Sequence, residues 1–226
     1  MNETVTTTDD EPRDVRVLLV DDHDLFRTGL RNLLEVQGIH IVGEAASGSE
    51  ALRIVRETAP DVVVMDLNMP GMNGVEATRH MSRDAPLTRV IVLTVSDQEQ
   101  DVMHAILAGA CGYLLKDASI QDLIRGIESA AVGESLISPH IAGKVLQHVR
   151  STTASPDAAE TIRAELSDRE VQVLKLIANG KDNAMIAGEL HISPKTVKNH
   201  ISNILMKLQM ENRIQAAVYA VRSGIV

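Results

Sequence analysis

The stretch that decides the fold is Val62-Val63-Val64-Met65-Asp66-Leu67-Asn68-Met69-Pro70-Gly71. Four apolar residues run directly into a carboxylate, and the chain then reaches a Pro-Gly turn. A short apolar run bounded by turn residues is typical of a strand buried on both faces of a parallel sheet. We therefore expect Asp66 at the carboxyl end of a central strand, where open α/β sheets bind their ligands.

The same alternation of an apolar run and an amphipathic segment recurs through residues 15–135. The predicted strands are residues 15–20, 39–45, 60–66, 89–94 and 111–115, and a helix is predicted after each of them. Five strands that alternate with five helices predict a doubly wound, five-stranded parallel sheet of the flavodoxin-like type. Cys111 opens the last strand between two glycines, so we expect it to be a small buried residue rather than a reactive thiol.

The pattern changes beyond residue 135. A short amphipathic segment covers residues 138–149, and the Ser/Thr/Pro cluster at 151–157 is typical of an interdomain linker. Four helices are predicted after it, at residues 167–180, 182–190, 194–208 and 212–222; Ser167 with Glu170 predicts a capping box, and Ser193 with Pro194 a helix start. The predicted division is a disordered tail (1–14), an α/β domain (15–135), a linker with a short helix (136–162) and an all-helical domain (163–226).

Charge and composition differ between the two domains and exclude several classes of protein. Residues 1–150 carry a net charge of −10, whereas residues 151–226 carry +1 and the segment 193–226 carries +4. A single cysteine excludes a disulfide framework or a thiolate metal cluster, and scarce aromatic residues argue against a base-stacking binder of single strands. The chain has neither an apolar stretch of membrane-spanning length nor a signal-peptide pattern. We therefore expect a cytoplasmic protein, without membrane contact, whose two domains have different partners.

Five side chains with useful chemistry fall at the carboxyl ends of predicted strands: Asp21 and Asp22 after the first, Asp66 after the third, Thr94 at the end of the fourth and Lys116 after the fifth. Each by itself is an ordinary capping, loop or solvated residue, but their common position is hard to obtain by chance. Packed carboxylates need a counter-charge, and Mg²⁺ prefers carboxylate and phosphate oxygens. The set predicts phosphoryl transfer onto Asp66 as nucleophile, with Lys116 pairing with the product.

The third helix of the helical domain has two faces. Its apolar side chains are expected to pack inside the domain; these are Val197, Ile201, Ile204, Leu205 and Leu208. Its polar face is expected to meet DNA, with lysines at phosphates and Asn199 able to contact a base edge. From charge alone, an amphipathic helix with a solvated polar face is an equally good interpretation.

Residues 15–135 resemble the receiver domain of two-component response regulators. The resemblance is carried by the segments 17–23, 66–74, 93–94 and 112–116. It implies that Asp66 accepts a phosphoryl group from a sensor histidine kinase. It also implies that Mg²⁺ is held by Asp21, Asp22, Asp66 and the main-chain carbonyl of Asn68.

The resemblance further implies a pair of switch residues. Thr94 would move toward the phosphoryl group, and Tyr113 would turn inward to fill the space that Thr94 leaves. Val95 is larger than the residue usually found at its position and could hinder that inward turn. His23, directly after the acidic pair, is interpreted as a loop residue rather than a catalytic one.

Residues 163–226 resemble the LuxR-type (NarL/FixJ-like) DNA-binding domain, on a signature that runs from Leu166-Ser167-Asp168-Arg169-Glu170 to Lys207-Leu208. The resemblance implies that the helix at 194–208 enters the major groove and that the helix at 182–190 supports it. The predicted DNA contacts are Lys195, Thr196, Lys198, Asn199, Ser202 and Lys207. The last helix is the family's dimerisation element, although its apolar residues could equally be internal core; these are Ile214, Ala217, Val218 and Val221.

These expectations combine into a phosphorylation-dependent transcriptional regulator that binds pseudo-palindromic double-stranded DNA as a homodimer and is not an enzyme. Two alternatives stay open. A haloacid-dehalogenase-type enzyme also uses a strand-end Asp with Mg²⁺, but it needs a second Asp where this chain has Asn68. A phosphorylation-independent DNA-binding regulator would use its receiver only for protein contacts, and mutation of Asp66 would leave its regulation unchanged.

Overall fold

A computed structural model describes residues 15–138, 140–145 and 165–225. The strands are β1 (Arg16–Val20), β2 (His40–Ala45), β3 (Val62–Met65), β4 (Arg89–Thr94) and β5 (Gly112–Leu115). The helices of the α/β domain are α1 (Asp24–Val36), α2 (Gly48–Thr58), α3 (Gly74–Asp84), α4 (Glu99–Leu107) and α5 (Ile120–Ala131). Those of the helical domain are α6 (Asp168–Ala178), α7 (Asn183–Leu190), α8 (Pro194–Lys207) and α9 (Arg213–Arg222).

The five strands form the predicted parallel sheet, and their order is β2-β1-β3-β4-β5. Strand β3 is central, and all four of its side chains are buried. The register pairs Val20 of β1 with Met65 of β3, and Thr94 of β4 with Leu115 of β5. Consequently the residues that follow these strands leave the sheet at the same edge.

Helices cover both faces of the sheet because its central strands are apolar on both sides. Helices α1 and α5 pack on one face, around Leu19, Val64 and Ile127. Helices α2 and α3 pack on the other, around Leu18, Met65 and Met81. Cys111 is 4% exposed, which confirms its predicted burial, and this burial raises the pKa of its thiol to about 12.

The helical domain has its own core. Val173, Leu174, Ile186, Val197 and Ile204 meet at its centre. The predicted helix starts are confirmed: Ser167 and Glu170 form a capping box, and Ser193 caps α8 with Pro194 as its first residue. These side chains satisfy backbone N–H groups that a helix start otherwise leaves without acceptors.

The predictions for the segments outside the two domains have different outcomes. A linker helix is present, and its described part covers residues 140–145 of the predicted 138–149. The tail at 1–14 and the Ser/Thr/Pro cluster at 151–157 lie outside the described residues. Within the part of the chain that the structure describes, no helix is long and apolar enough to cross a membrane.

Candidate functional site: a strand-end acidic cluster and a helical DNA-binding domain

The strand register brings the predicted acidic residues together. Asp21 and Asp66 are 5% and 3% exposed, and the Lys116 ammonium lies between them. Lys116 Nζ is 2.6 Å from Asp21 Oδ2 and 2.8 Å from Asp66 Oδ2. Burial alone lowers the pKa of Lys116, but the hydrogen bonds to the two carboxylates outweigh it, so the pKa is raised and the ammonium stays charged.

The donor set of this cluster fits a divalent cation that prefers oxygen ligands. One atom each of Asp21, Asp22, His23 and Asp66 lies within 4.8 Å of the others. Asp22 Oδ1 is buried and has no hydrogen-bond partner, although His23 Nδ1 lies 2.9 Å from it. An unsatisfied buried carboxylate oxygen is costly without a cation, so the site suits Mg²⁺.

The loop after β3 fixes the orientation of the Asp66 carboxylate. Asp66 Oδ1 accepts hydrogen bonds from the backbone N–H groups of Leu67 at 2.7 Å and Asn68 at 3.4 Å. Gly74 passes so close that a Cβ on it would overlap the Asp66 carbonyl oxygen. A glycine at position 74 is therefore needed for α3 to begin directly beside the site.

Two residues of α1 complete the site, and sequence analysis missed both. Arg27 Nη1 donates to the Asp21 carbonyl at 2.6 Å, and its Nε to Glu44 at 3.1 Å. The Phe26 ring lies 4.6 Å from Lys116 Nζ. Their position in the sequence could have revealed them, because a helix that starts two residues after Asp22 must lie over the carboxyl ends of the strands. His23 is the loop residue that the sequence predicted, yet its ring touches the cluster.

The two predicted switch residues are both fully buried. Thr94 Oγ1 accepts from the Ser96 N–H at 3.4 Å, and the Tyr113 hydroxyl donates to the Ser96 carbonyl at 2.9 Å. Burial and nearby acids raise the pKa of Tyr113, so its hydroxyl stays protonated and can donate. Val95 is 72% exposed, and its hindrance to an inward turn of Tyr113 stays a prediction.

The linker helix is attached to the β4–α4 loop and covers Tyr113. Lys144 Nζ donates to the Asp97 carboxylate at 2.8 Å and also to its carbonyl, and His140 Nε2 lies 3.3 Å from the same carboxylate. Ile137 pairs with Tyr113 in a parallel bridge. Ile141 is fully buried in one apolar cluster with Tyr113. The linker helix therefore contacts both the β4–α4 loop, through Asp97, and Tyr113 of β5.

Helix α8 presents most of the predicted DNA contacts on one exposed or half-buried face: Lys195, Lys198, Asn199 and Ser202. At 3.6 residues per turn Met206, 70% exposed, shares that face. Two other predicted contacts lie on its flank. Lys207 Nζ pairs with buried Glu170 at 2.7 Å, and the Thr196 hydroxyl bonds Ser193 at 2.8 Å. The structure therefore gives Lys207 an internal partner, which weakens its assignment to DNA.

Helix α9 is divided between two cores. Ala217 packs in the core of the helical domain. Ile214 and Val218, 6% and 7% exposed, join the cluster of α4 residues that includes Val102 and Ile106. Val221 packs at the edge of the same cluster. Three of the four predicted dimerisation residues are thus covered by the α/β domain of their own chain.

Polar contacts surround this docking interface of α4 with α9. Gln215 Nε2 donates to the Ile106 carbonyl at 2.9 Å. Asn183 Nδ2 donates to Glu134 Oε1 at 2.8 Å, which links the start of α7 to the end of the α/β domain. Burial lowers the pKa of Arg213, and the charge of Glu134 counteracts this.

A tight approach lies at one edge of the docking interface. The side chains of Ser82 of α3 and of Glu211, just before α9, both lie against Gly109. A Cβ on Gly109, whose φ is +108°, would overlap both side chains. Gly109 therefore permits the two domains to approach each other here.

Comparisons with known proteins agree with this two-part architecture. The model "Response regulator receiver domain" matches residues 17–128, and "Bacterial regulatory proteins, luxR family" matches residues 164–220. The transcriptional regulatory protein LiaR of Bacillus subtilis is 44% identical over 213 residues, 94% of this chain and 99% of that protein. The chain belongs to the NarL/LuxR family of two-component response regulators. This response regulator is also 38% identical to the response regulator protein VraR of Staphylococcus aureus over 217 residues, 94% of this chain and 99% of VraR.

A solved structure shows the same arrangement of domains along the chain. The crystal structure of the response regulator ChrA, from a heme-sensing two-component system, is 34% identical, covers 94% of this chain and 99% of that one, and has a TM-score of 0.52. The family consists of DNA-binding transcription regulators, not enzymes. Membership implies a sensor kinase and DNA as the partners of the two domains.

Proposed function

We propose that this response regulator accepts a phosphoryl group on Asp66 from a sensor histidine kinase and thereby becomes a dimeric DNA-binding form. One observation carries the proposal: Lys116 Nζ lies 2.8 Å from the buried carboxylate of Asp66 at the carboxyl edge of the sheet. The kinase would hold the group as a phosphohistidine. Cytoplasmic DNA, read as pseudo-palindromic sites, would be the target of the α8 face.

The side chains around Asp66 suit an in-line displacement. A carboxylate oxygen of Asp66 attacks phosphorus, the P–N bond to the histidine breaks, and the imidazole leaves with the electron pair and takes a proton. The product is an acyl phosphate on Asp66. Lys116 then pairs with a phosphoryl oxygen, and the hydroxyl of Thr94 donates to another.

Mg²⁺ would be held by Asp21, Asp22, Asp66 and the carbonyl of Asn68, and would neutralise negative charge on the transferred group. Arg27 holds the backbone of Asp21 in place for this task. Lys116 spans Asp21 and Asp66, so it must give up one of these contacts when the charges are redistributed. Before the transfer, the two carboxylates raise the pKa of Lys116 and keep its ammonium charged.

The docking interface supplies a reason why the unphosphorylated chain would stay monomeric. The α9 residues Ile214 and Val218 are buried against α4, so they are unavailable to a second chain. Domain docking would then itself prevent dimerisation. Movement of Thr94 would reach α4 and the linker helix through Ser96 and Asp97, which lie between them. Phosphorylation would shift the balance toward the undocked form.

The test is incubation with acetyl phosphate and Mg²⁺, followed by intact mass and sedimentation. Wild type should gain one phosphoryl group and shift to dimer, and Asp66→Asn should do neither. Asp61→Asn is the matched control, because Asp61 is an exposed carboxylate at the opposite end of β3. Removal of Mg²⁺ with a chelator should prevent the gain.

Each result has a separate meaning. Phosphorylation without dimerisation would keep Asp66 as the acceptor and limit the switch to release of the domains. No gain of mass in wild type would contradict the proposal and favour the phosphorylation-independent regulator. A gain in Asp66→Asn equal to that of wild type would place the acceptor elsewhere.

A further inference from the structure

The ammonium of Lys116 has a third neighbour besides its two carboxylates. The ring centroid of Phe26 lies 4.6 Å from Lys116 Nζ. A cation within about 6 Å of a ring centroid is attracted by the negative face of the ring. Phe26 is the single phenylalanine of the chain, which has no tryptophan. Helix α1 thus places a rare aromatic side chain directly against the functional lysine.

The donor count of Lys116 explains why a ring fits there. An ammonium has three N–H donors. Lys116 Nζ donates one hydrogen bond to Asp66 Oδ2 and forms an ion pair with Asp21 Oδ2 at 2.6 Å. The Lys116 side chain is only 13% exposed, so water screens the cation weakly on the remaining side. The Phe26 ring lies against this ammonium and compensates partly for the lost water.

We propose that Phe26 is a positioning residue for phosphoryl transfer, a proposal that rests on the function assigned to Asp66 above. Both carboxylate partners of Lys116 change during the reaction, since Asp66 becomes an acyl phosphate and Asp21 turns to the divalent cation. The ring does not change. It therefore holds the ammonium at the strand ends while the other contacts are exchanged.

This positioning has a physical benefit for the rate. A free lysine side chain has many rotamers, and ordering it costs free energy. A ring that orders the ammonium before the donor arrives removes part of that cost from the reaction step. Lys116 then needs to move only from a carboxylate oxygen to a phosphoryl oxygen.

Phe26 also packs at the edge of the apolar cluster beneath α1, so simple packing must be separated from the ring's effect on charge. Phe26→Leu keeps an apolar side chain and removes the ring. Phe26→Tyr keeps the ring and adds only a hydroxyl. A purely structural role predicts similar behaviour for Phe26→Leu and wild type, provided that both are folded.

The first measurement tests the contact itself, without any reaction. In proton–carbon NMR spectra the ε-methylene of Lys116 should be shifted upfield by the ring in wild type and in Phe26→Tyr. In Phe26→Leu the same signal should lie further downfield, because the ring is gone. The absence of a ring-dependent shift in wild type would overturn the proposal.

The second measurement is the rate of phosphoryl uptake at saturating acetyl phosphate and Mg²⁺, followed by intact mass. Phe26→Leu should be slower by roughly 2- to 5-fold, the rate equivalent of one partly exposed cation–π contact. Phe26→Tyr should keep the wild-type rate, and the Michaelis constant for the donor should change little in either variant. Thermal melts show whether each variant is folded, and Phe26→Met replaces Phe26→Leu if the latter is not.

Equal rates in Phe26→Leu and wild type would overturn the proposal, as would a Phe26→Tyr that is as slow as Phe26→Leu. If the proposed function itself is wrong, the two measurements should give another result. Wild type would then take up no phosphoryl group although the ring shift of Lys116 is present, and the positioning role would fall together with the reaction.

Discussion

Glu134→Ala should release the helical domain from the α/β domain without phosphorylation. Glu134 Oε1 accepts the 2.8 Å hydrogen bond from Asn183 across the docking interface, and Asn183 is only 4% exposed. Without the carboxylate, a buried amide N–H loses its acceptor, which costs about 1–3 kcal/mol. The undocked form escapes this cost because water reaches Asn183 there. The ratio of docked to undocked chains should therefore fall roughly 5- to 150-fold.

Two measurements on the unphosphorylated protein check this shift. Small-angle scattering should show a larger radius of gyration for Glu134→Ala. Sedimentation should show an apparent dissociation constant of the dimer lowered by at least the same factor, because each chain must undock before its α9 is available. The matched control is Glu128→Ala, which removes an exposed carboxylate of α5. If Glu134→Ala behaves like Glu128→Ala in both measurements, the link between docking and dimerisation is wrong.

Three further variants test other parts of the molecule. Gly109→Ala should raise the unphosphorylated dimer fraction, because its Cβ would overlap a side chain from each domain, whereas Gly38→Ala has a similar positive φ with open space around it and should not. Charge reversal at either Asp97 or Lys144 should detach the linker helix and raise the same dimer fraction. Reversal of both charges should bring the dimer fraction back to that of wild type. If it does not, the ion pair does not hold the linker helix in place. Burial raises the pKa of Glu170, but its hydrogen bonds outweigh burial and bring the pKa below the ordinary 4.5. The ionised carboxylate therefore stabilises the folded protein above pH 4.5, and this stabilisation is lost as the pH falls through the lower pKa of the folded state. The difference in melting temperature between wild type and Glu170→Gln should thus be largest near neutral pH and shrink in acid; a constant difference would contradict this.

Much of the fold could be predicted because its signals are local. Buried parallel strands are short apolar runs, and amphipathic helices repeat every 3.6 residues, so both periods are visible in the sequence. Helix starts such as Ser167 depend on residues within four positions of each other. The acidic site was also predictable, because the carboxyl ends of parallel strands share one edge of the sheet. Asp66 and Lys116 are 50 residues apart in the chain and still meet for that reason.

The environment of the site was less visible. Phe26 contacts Lys116 only because α1 crosses the strand ends at a particular angle, and a single aromatic residue in a helix has no pattern that reveals such a contact. Lys207 illustrates a different limit of sequence reasoning. Its charge and position favoured a DNA contact, yet it pairs with Glu170 of another helix. Charge patterns show which side chains are polar but not which partner satisfies them.

The sequence by itself determined the two domains' fold classes, the strand-end carboxylates and the polar face of α8. Tertiary structure alone decided where the apolar residues of α9 go. Ile214, Val218 and Val221 have the spacing of a helix that buries one face, and that spacing is the same for an internal core, a second chain or a neighbouring domain. They join one apolar cluster with residues of α4, and Gln215 and Asn183 find hydrogen-bond acceptors around it. The hydrophobic effect rewards burial without specifying the partner, so only shape and hydrogen bonding in three dimensions can select it.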